Sequence, residues 1–192
     1  ESESKKKGVE DLDLLRAKRL GFSDQSIANW YSMSTEKVRT VRESQKVLPA
    51  YFQVDTCAGE FAAETPYFYS TYWGQREAFS TKKESIVLLG SGPNRIGQGI
   101  EFDYSCVRSV RQFQREGFHV AMVNSNPETV STDYDTSDIL FFEPITEEHT
   151  LEVLRYLQPK GFVAQLGGQT PINLAPALVK EGFNLLGSTL ES

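Results

Sequence analysis

Cysteine is nearly absent from this chain: Cys57 and Cys106 are the only two in 192 residues. A disulfide framework and a four-thiolate zinc site are excluded, and a reducing, cytoplasmic setting is expected. No stretch approaches the roughly 18 consecutive apolar residues of a membrane helix, and none has the form of a secretory leader, so neither membrane insertion nor export is expected. Positive charge is also in short supply. Twenty Lys and Arg stand against 26 Asp and Glu, a net charge of -6, which argues against a chain built to grip nucleic acid. The apolar fraction of 39% is nevertheless ordinary for a globular protein, and 192 residues can bury a core in one or two domains.

The two parts of the chain differ in charge and in texture. Residues 1–80 carry 11 basic and 12 acidic side chains, whereas residues 81–192 carry 9 and 14. After a polar start (ESESKKKGVE), Asp11 to Gln45 has the spacing of short helices. Ser23 and Ser34 are predicted N-caps, each hydroxyl accepting a free amide of the following turn, and Glu36 sits at the favourable end of its helix dipole. Pro49 ends the helical stretch. Tyr51 to Trp73 is dense in aromatic residues without regular alternation and is expected to be packed and partly irregular, and Gly74 to Lys83 reads as a polar linker.

From Glu84 onward strands alternate with helices. Ser85–Leu89 is a continuous apolar run, as in a parallel strand covered on both faces. A helix is predicted from about Phe102 to Glu116, stopped by Gly117. Strands follow at His119–Asn124 and Ile139–Phe142, then a helix capped by Thr146, a strand at Phe162–Leu166, a helix at Pro171–Lys180 and a last strand at Asn184–Leu186. Repeated β–α units of this length imply a doubly wound parallel sheet. The expected fold class is therefore α plus α/β: a small helical domain over residues 1–80, then a Rossmann-like domain over 81–192.

Ligands of such sheets sit at the carboxyl ends of the strands, where three loops have unusual composition. The first runs from Gly90 to Gly99 and includes Gly92, Asn94 and Gly97; its glycines allow close backbone approach to a ligand, and the next helix start favours anions. It is not a dinucleotide fingerprint, because Arg95 occupies the third glycine position and the second strand ends in Asn124, Ser125 and Asn126 rather than an acid. It is not a Walker loop either, since Gln98 and Gly99 stand where Lys and Ser/Thr are required. The second loop, Asn124 to Asp135, gathers Asp133 and Asp135 near Asp138, but lacks the Gly and distal Glu of a calcium loop. The third, Gln165 to Pro171, offers Gly167, Gly168, Gln169 and Thr170 to a pocket. No loop supplies a nucleophile–base pair. His119 and His149 are expected to be structural or at the surface, and Cys106 a packed thiol, so no complete catalytic set and no metal site is predicted.

The string Gly92-Pro-Asn-Arg-Ile-Gly-Gln-Gly-Ile-Glu-Phe-Asp-Tyr104, with Asn126-Pro-Glu-Thr-Val-Ser-Thr-Asp-Tyr-Asp-Thr-Ser-Asp138 and Gly167-Gly-Gln-Thr-Pro171, resembles the large subunit of the carbamoyl-phosphate synthetase family. Upstream, Val54-Asp-Thr-Cys-Ala58, Glu60-Phe-Ala62 and Tyr69-Ser-Thr-Tyr72 resemble the end of that subunit's oligomerisation domain. The resemblance implies that residues 81–192 are the pre-ATP-grasp domain of the half that phosphorylates carbamate. It implies that ATP and Mg (or Mn) are bound by an ATP-grasp domain outside this chain. It further implies a passage for carbamate lined by Arg95, Gly99, Glu101 and Glu128, with acceptor-side loops containing Gly92, Asn94, Gly97, Asn126, Gly168, Gln169 and Thr170. The implied partners are the remainder of the large subunit, a glutamine amidotransferase small subunit, and a second copy through the helical part. The implied pathways are arginine and pyrimidine biosynthesis.

Two other readings compete. Gly21 to Ala28 followed by Ser34 to Arg42 has the form of a helix-turn-helix, which would turn Lys37, Arg39 and Arg42 toward DNA; the local net charge of -1 over residues 1–80 and the acids Glu36 and Glu43 stand against it. The α/β part could also be a self-sufficient nucleotide- or metabolite-binding module, against which stand the missing Walker Lys and ribose acid.

Overall fold

A computed structural model describes residues 8–61, 65–93 and 100–190. The chain divides into two compact units, Glu1–Tyr51 with Ser70–Glu77 and Phe52–Tyr69 with Ala78–Ser192. Both are interrupted in sequence. The fold class is as expected, helices followed by a largely parallel α/β sheet.

The first unit is built from helices α1 (Leu14–Arg19), α2 (Asp24–Tyr31) and α3 (Thr35–Ser44). The predicted caps are in place. Ser23 Oγ accepts from Ser26 N at 3.0 Å and Ser34 Oγ from Lys37 N at 3.2 Å, while Asp13 caps α1 through Arg16 N. Ser32 takes a left-handed conformation (φ 52°) that reverses the chain between α2 and α3. Val9, Leu14, Ala17, Ile27, Ala28, Val38, Val41 and Val47 form the core.

Inside that core lies a charged cluster. Asp24, at 1% exposure, accepts from Lys18 Nζ at 3.0 Å and from Arg42 Nε at 3.1 and 3.2 Å. Arg42, with no exposed surface, also donates to Val47 O at 2.8 Å. The helix-turn-helix reading fails here on physical grounds. Arg39 and Arg42 are buried among the helices, and Lys37 alone of the three basic residues is exposed.

The second unit contains the sheet, in the order β1-β2-β5-β4-β3-β6, from β1 (Ala50–Gln53), β2 (Tyr67–Thr71), β3 (Ser85–Leu89), β4 (His119–Asn124), β5 (Ile139–Phe142) and β6 (Gly161–Val163); the division between units passes through β1 and β2. All ladders from β2 to β6 are parallel, with Ile86 opposite Val120 and Gly161, and Met122 opposite Leu140. Alternation along β3 serves two layers. Ile86 and Leu88 share a core with Cys106 and Val110 of α4 (Glu101–Arg115), and on the other face Phe141 meets Tyr156 of α5 (Glu147–Leu157) edge-on. Gly117, with φ +89°, stops α4 where expected, and Phe118 N returns to Phe113 O at 3.1 Å. Thr146 caps α5 by accepting from His149 N.

Three expectations are corrected. The aromatic segment supplies two strands of the sheet, and its rings pack at a tilt along the ladder: Tyr67 against Phe142 (5.1 Å between centroids) and Phe68 against Phe141 (5.8 Å). The strand expected at Phe162–Leu166 runs only from Gly161 to Val163, since the backbone turns at Ala164, whose carbonyl accepts from Gly167 N. The strand expected at Asn184–Leu186 is reduced to one parallel bridge between Leu185 and Phe162. In the expected linker, Phe79 packs against His119 and Tyr156.

Replacing Asp24 with Ala would leave Lys18 and Arg42 buried without the carboxylate they share. We expect a loss of about 3–5 kcal/mol, read from the urea unfolding of the first unit. A cost within 0.5 kcal/mol would show that water or another group replaces the carboxylate.

Candidate functional site

Strand order places the site. β3 is flanked by β4 on one side and β6 on the other, so the chain winds outward from β3 to β4 and β5 and then crosses back to β6 on the opposite side, and a crevice forms at the carboxyl ends of the strands. The loops after β3, β4 and β6 meet at this edge. Gly167 is the seam: a Cβ built on it would lie 2.5 Å from Leu89 O and 2.7 Å from Gly90 O. Only glycine lets the third loop lie against the end of β3.

The first two loops are joined by one side chain. Asn124, the last residue of β4, has no exposed surface. Its Oδ1 accepts from Gly92 N at 3.1 Å and from Asn126 N at 3.3 Å, and its Nδ2 donates to Ser131 Oγ at 3.2 Å. Backbone amides can only donate, so Oδ1 must face them and the amide orientation is fixed. Gly92 has φ +73°, a backbone conformation that any larger residue would resist. Asn126 Oδ1 in turn accepts from Glu128 N at 3.0 Å. A further strut comes from α4, where Asp103 Oδ2 accepts from Ser131 N at 2.9 Å.

Of the residues singled out in the sequence, Gly92 and Asn126 are brought together through Asn124. Glu101 opens α4 and is exposed; Glu128 is exposed on the second loop. Gly168 precedes α6 (Gln169–Lys180), Gln169 donates to Asn173 along that helix, and Thr170 lies in its first turn. None of these three lines the adjoining cavity of about 640 Å³ bounded by Gln165, Ile172, Pro176, Leu185 and Leu190. Asn94, Arg95, Gly97 and Gly99 lie outside the described residues. Asp138 serves the fold, accepting from Val120 N at 2.8 Å.

Sequence reasoning passed over Asn124, Ser131 and Asp103. For Asp103 a signal existed: it lies on the same helical stripe as Cys106, Val107 and Val110, all buried, and an acid on an apolar stripe requires a partner. Cys106 is a packed thiol, as expected. Burial, and then the negative charge of Asp103, push its pKa up to about 12, so it is not a nucleophile at neutral pH. His119 has its pKa lowered by burial, with Asp138 raising it and Lys83 lowering it further. His149 Nδ1 pairs with Thr146 Oγ1 at 2.8 Å within the same helix start.

Residues 82–192 match the family model described as the carbamoyl phosphate synthase preATP-grasp domain. The chain belongs to the carbamoyl phosphate synthase large chain family. It is 55% identical over its whole length to the carbamoyl phosphate synthase large chain of Thermotoga neapolitana, of which it covers 18%. It is 54% identical to that of Thermotoga petrophila over 95% of this chain and 17% of the relative, and 53% identical to that of Pseudothermotoga lettingae over 97% and 17%. The chain thus spans less than a fifth of the curated relatives it matches. Among the described residues no group of three or more His, Cys, Asp or Glu could hold a metal ion, and the end of β4 carries Asn124 where a ribose-binding acid would stand.

The Asn124 latch is testable. A Cβ on Gly90 would lie 2.7 Å from Asn124 Cγ and Nδ2, so Gly90→Ala should cost about 1–3 kcal/mol by displacing the amide. Combined with Asn124→Ala, which vacates that space, the loss should fall short of the sum of the single losses by about 1 kcal/mol. Simple additivity in urea unfolding would mean that the two positions act independently.

Proposed function

We propose that this chain is a section of the large subunit of a glutamine-dependent carbamoyl-phosphate synthetase, serving arginine and pyrimidine biosynthesis in the cytoplasm. In the full reaction glutamine, bicarbonate and two ATP give carbamoyl phosphate. ATP and Mg (or Mn) are held by an ATP-grasp domain outside this chain, so the 192 residues alone have no synthetase activity. The α/β part forms the wall of the passage that brings carbamate to the second ATP site, with Arg95, Gly99, Glu101 and Glu128 as the lining. Its partners are the remainder of the large subunit, the amidotransferase small subunit, and a second copy met through the helical part of residues 1–80. Exposed Trp30, at 61%, and Trp73, at 71%, support an interaction surface there.

The observation that carries the reading is the fixed junction at the switch point. Two separate segments bearing acids, the start of α4 with Glu101 and the second loop with Glu128, are tied to the end of β3 by hydrogen bonds through buried side chains. A rigid wall with charged residues suits a conduit for a small, readily hydrolysed anion: it holds ordered water and limits exposure of the cargo. A loop that bound nucleotide itself would need the basic residue and acid that are missing here.

Two measurements test this. Calorimetric titration of the 192-residue chain with ATP and magnesium should give no binding; micromolar affinity would place nucleotide on the glycine loop and overturn the assignment. In the full enzyme, Gly99→Leu should obstruct the passage, so that glutamine and ATP are still consumed while carbamoyl phosphate output falls. Equal loss of all three activities would remove the passage role.

A further inference from the structure

Asp103 is 5% exposed, and its two carboxylate oxygens are used unequally. Oδ2 accepts from Ser131 N at 2.9 Å, whereas Oδ1 is buried without a hydrogen-bond partner among the described residues. A buried, half-satisfied carboxylate costs free energy that an apolar residue on the same helical stripe would avoid. Its position eases the charge without explaining it: as the third residue of α4 it lies at the positive end of the helix dipole. A group buried at that cost requires a structural explanation.

Connectivity shows what the geometry does. Glu101 is two residues before Asp103 on α4, and Glu128 is three residues before Ser131 on the second loop. The Asp103–Ser131 hydrogen bond is therefore a short link between the segments that carry the two acids. From Ser131 the link continues through its hydroxyl to Asn124 Nδ2, and from Asn124 Oδ1 to Gly92 N and Asn126 N. One buried chain of side chains joins α4, the second loop and the end of β3.

We propose that Asp103 is a positioning residue that fixes Glu101 relative to Glu128 by holding the Ser131 amide. It touches nothing that passes along the wall; it sets the spacing of groups that do. The inference rests on the passage reading above, deepening it by naming what keeps the lining in register.

The test uses the full synthetase and reads two quantities: ATP hydrolysed per carbamoyl phosphate formed, and hydrogen exchange at the Ser131 amide. Asp103→Ala should raise the ATP-to-product ratio by about tenfold, as expected for losing a hydrogen bond to a charged group, and should deprotect Ser131. Asp103→Asn keeps an acceptor oxygen at the same reach, so it should restore the ratio to within about threefold of the parent and restore protection. Ser131→Ala, which keeps the amide but cuts the link to Asn124, should give a smaller rise and serves as a milder variant if Asp103→Ala does not fold. Glu101→Gln and Glu128→Gln are controls on the passage itself. If the controls uncouple the halves and Asp103→Ala does not, the positioning role is wrong and the passage stands. An Asp103→Asn as damaging as Asp103→Ala, with Ser131 still protected, would mean that the charge itself acts and would also overturn the proposal. If neither control changes the ratio, the passage reading fails and this inference falls with it.

Discussion

The architecture of the candidate site depends on a single buried amide. Asn124 ends a strand whose other central residues are apolar, at a point where three loops converge and bury their backbones. Its carbonyl oxygen takes two amides that would otherwise be buried donors, and its NH2 group reaches the hydroxyl that Asp103 indirectly holds. A buried amide N–H without a partner costs about 1–3 kcal/mol, so removing Asn124 would strand two donors in different loops at once. The glycines around it follow from this: Gly90 makes room for the amide, Gly92 turns its N–H toward it, and Gly167 lets the third loop close over the strand end.

The helical unit solves a similar problem with charge. Asp24 draws Lys18 and Arg42 inward from α1 and α3 and so fixes how those helices meet α2. Apolar residues of like volume could hold the same contacts at no greater cost in stability. The cluster constrains geometry instead: a guanidinium from α3 and an ammonium from α1 must both reach one carboxylate at the start of α2. The same cluster takes Arg42 off the surface, one of the basic residues that make this segment look like a DNA reader in sequence.

Much of the fold was legible because it is local. Ser23, Ser34 and Thr146 cap the helices they precede, and the apolar runs of β3 and β4 can be read without knowing their neighbours. What was not legible depends on distant pairing. Tyr67 and Phe68 belong to a strand only because Leu140 and Phe141 lie beside them, and their aromatic neighbours on both faces hide the two-residue alternation that marks a strand. The site divides in the same way. Its place at the glycine-rich loops is visible in composition, and Gly92 and Asn126 are visible by motif. The roles of Asn124, Ser131 and Asp103 arise mainly from contacts 32 and 28 residues apart in sequence, farther than a local window of sequence reaches.

The interrupted second unit has a consequence for how the protein can be divided. The family match begins at residue 82, yet β2, which pairs with β5 through Tyr67 and Phe68, lies before that point. A fragment cut at the family boundary would lose β2, leaving Ile139–Phe142 as a bare sheet edge of four apolar residues. Unprotected edges of that kind recruit strands from other molecules. The start of the family match is thus not a line along which this sheet can be safely severed, and the aromatic segment before it acts as the guard that covers the edge of β5.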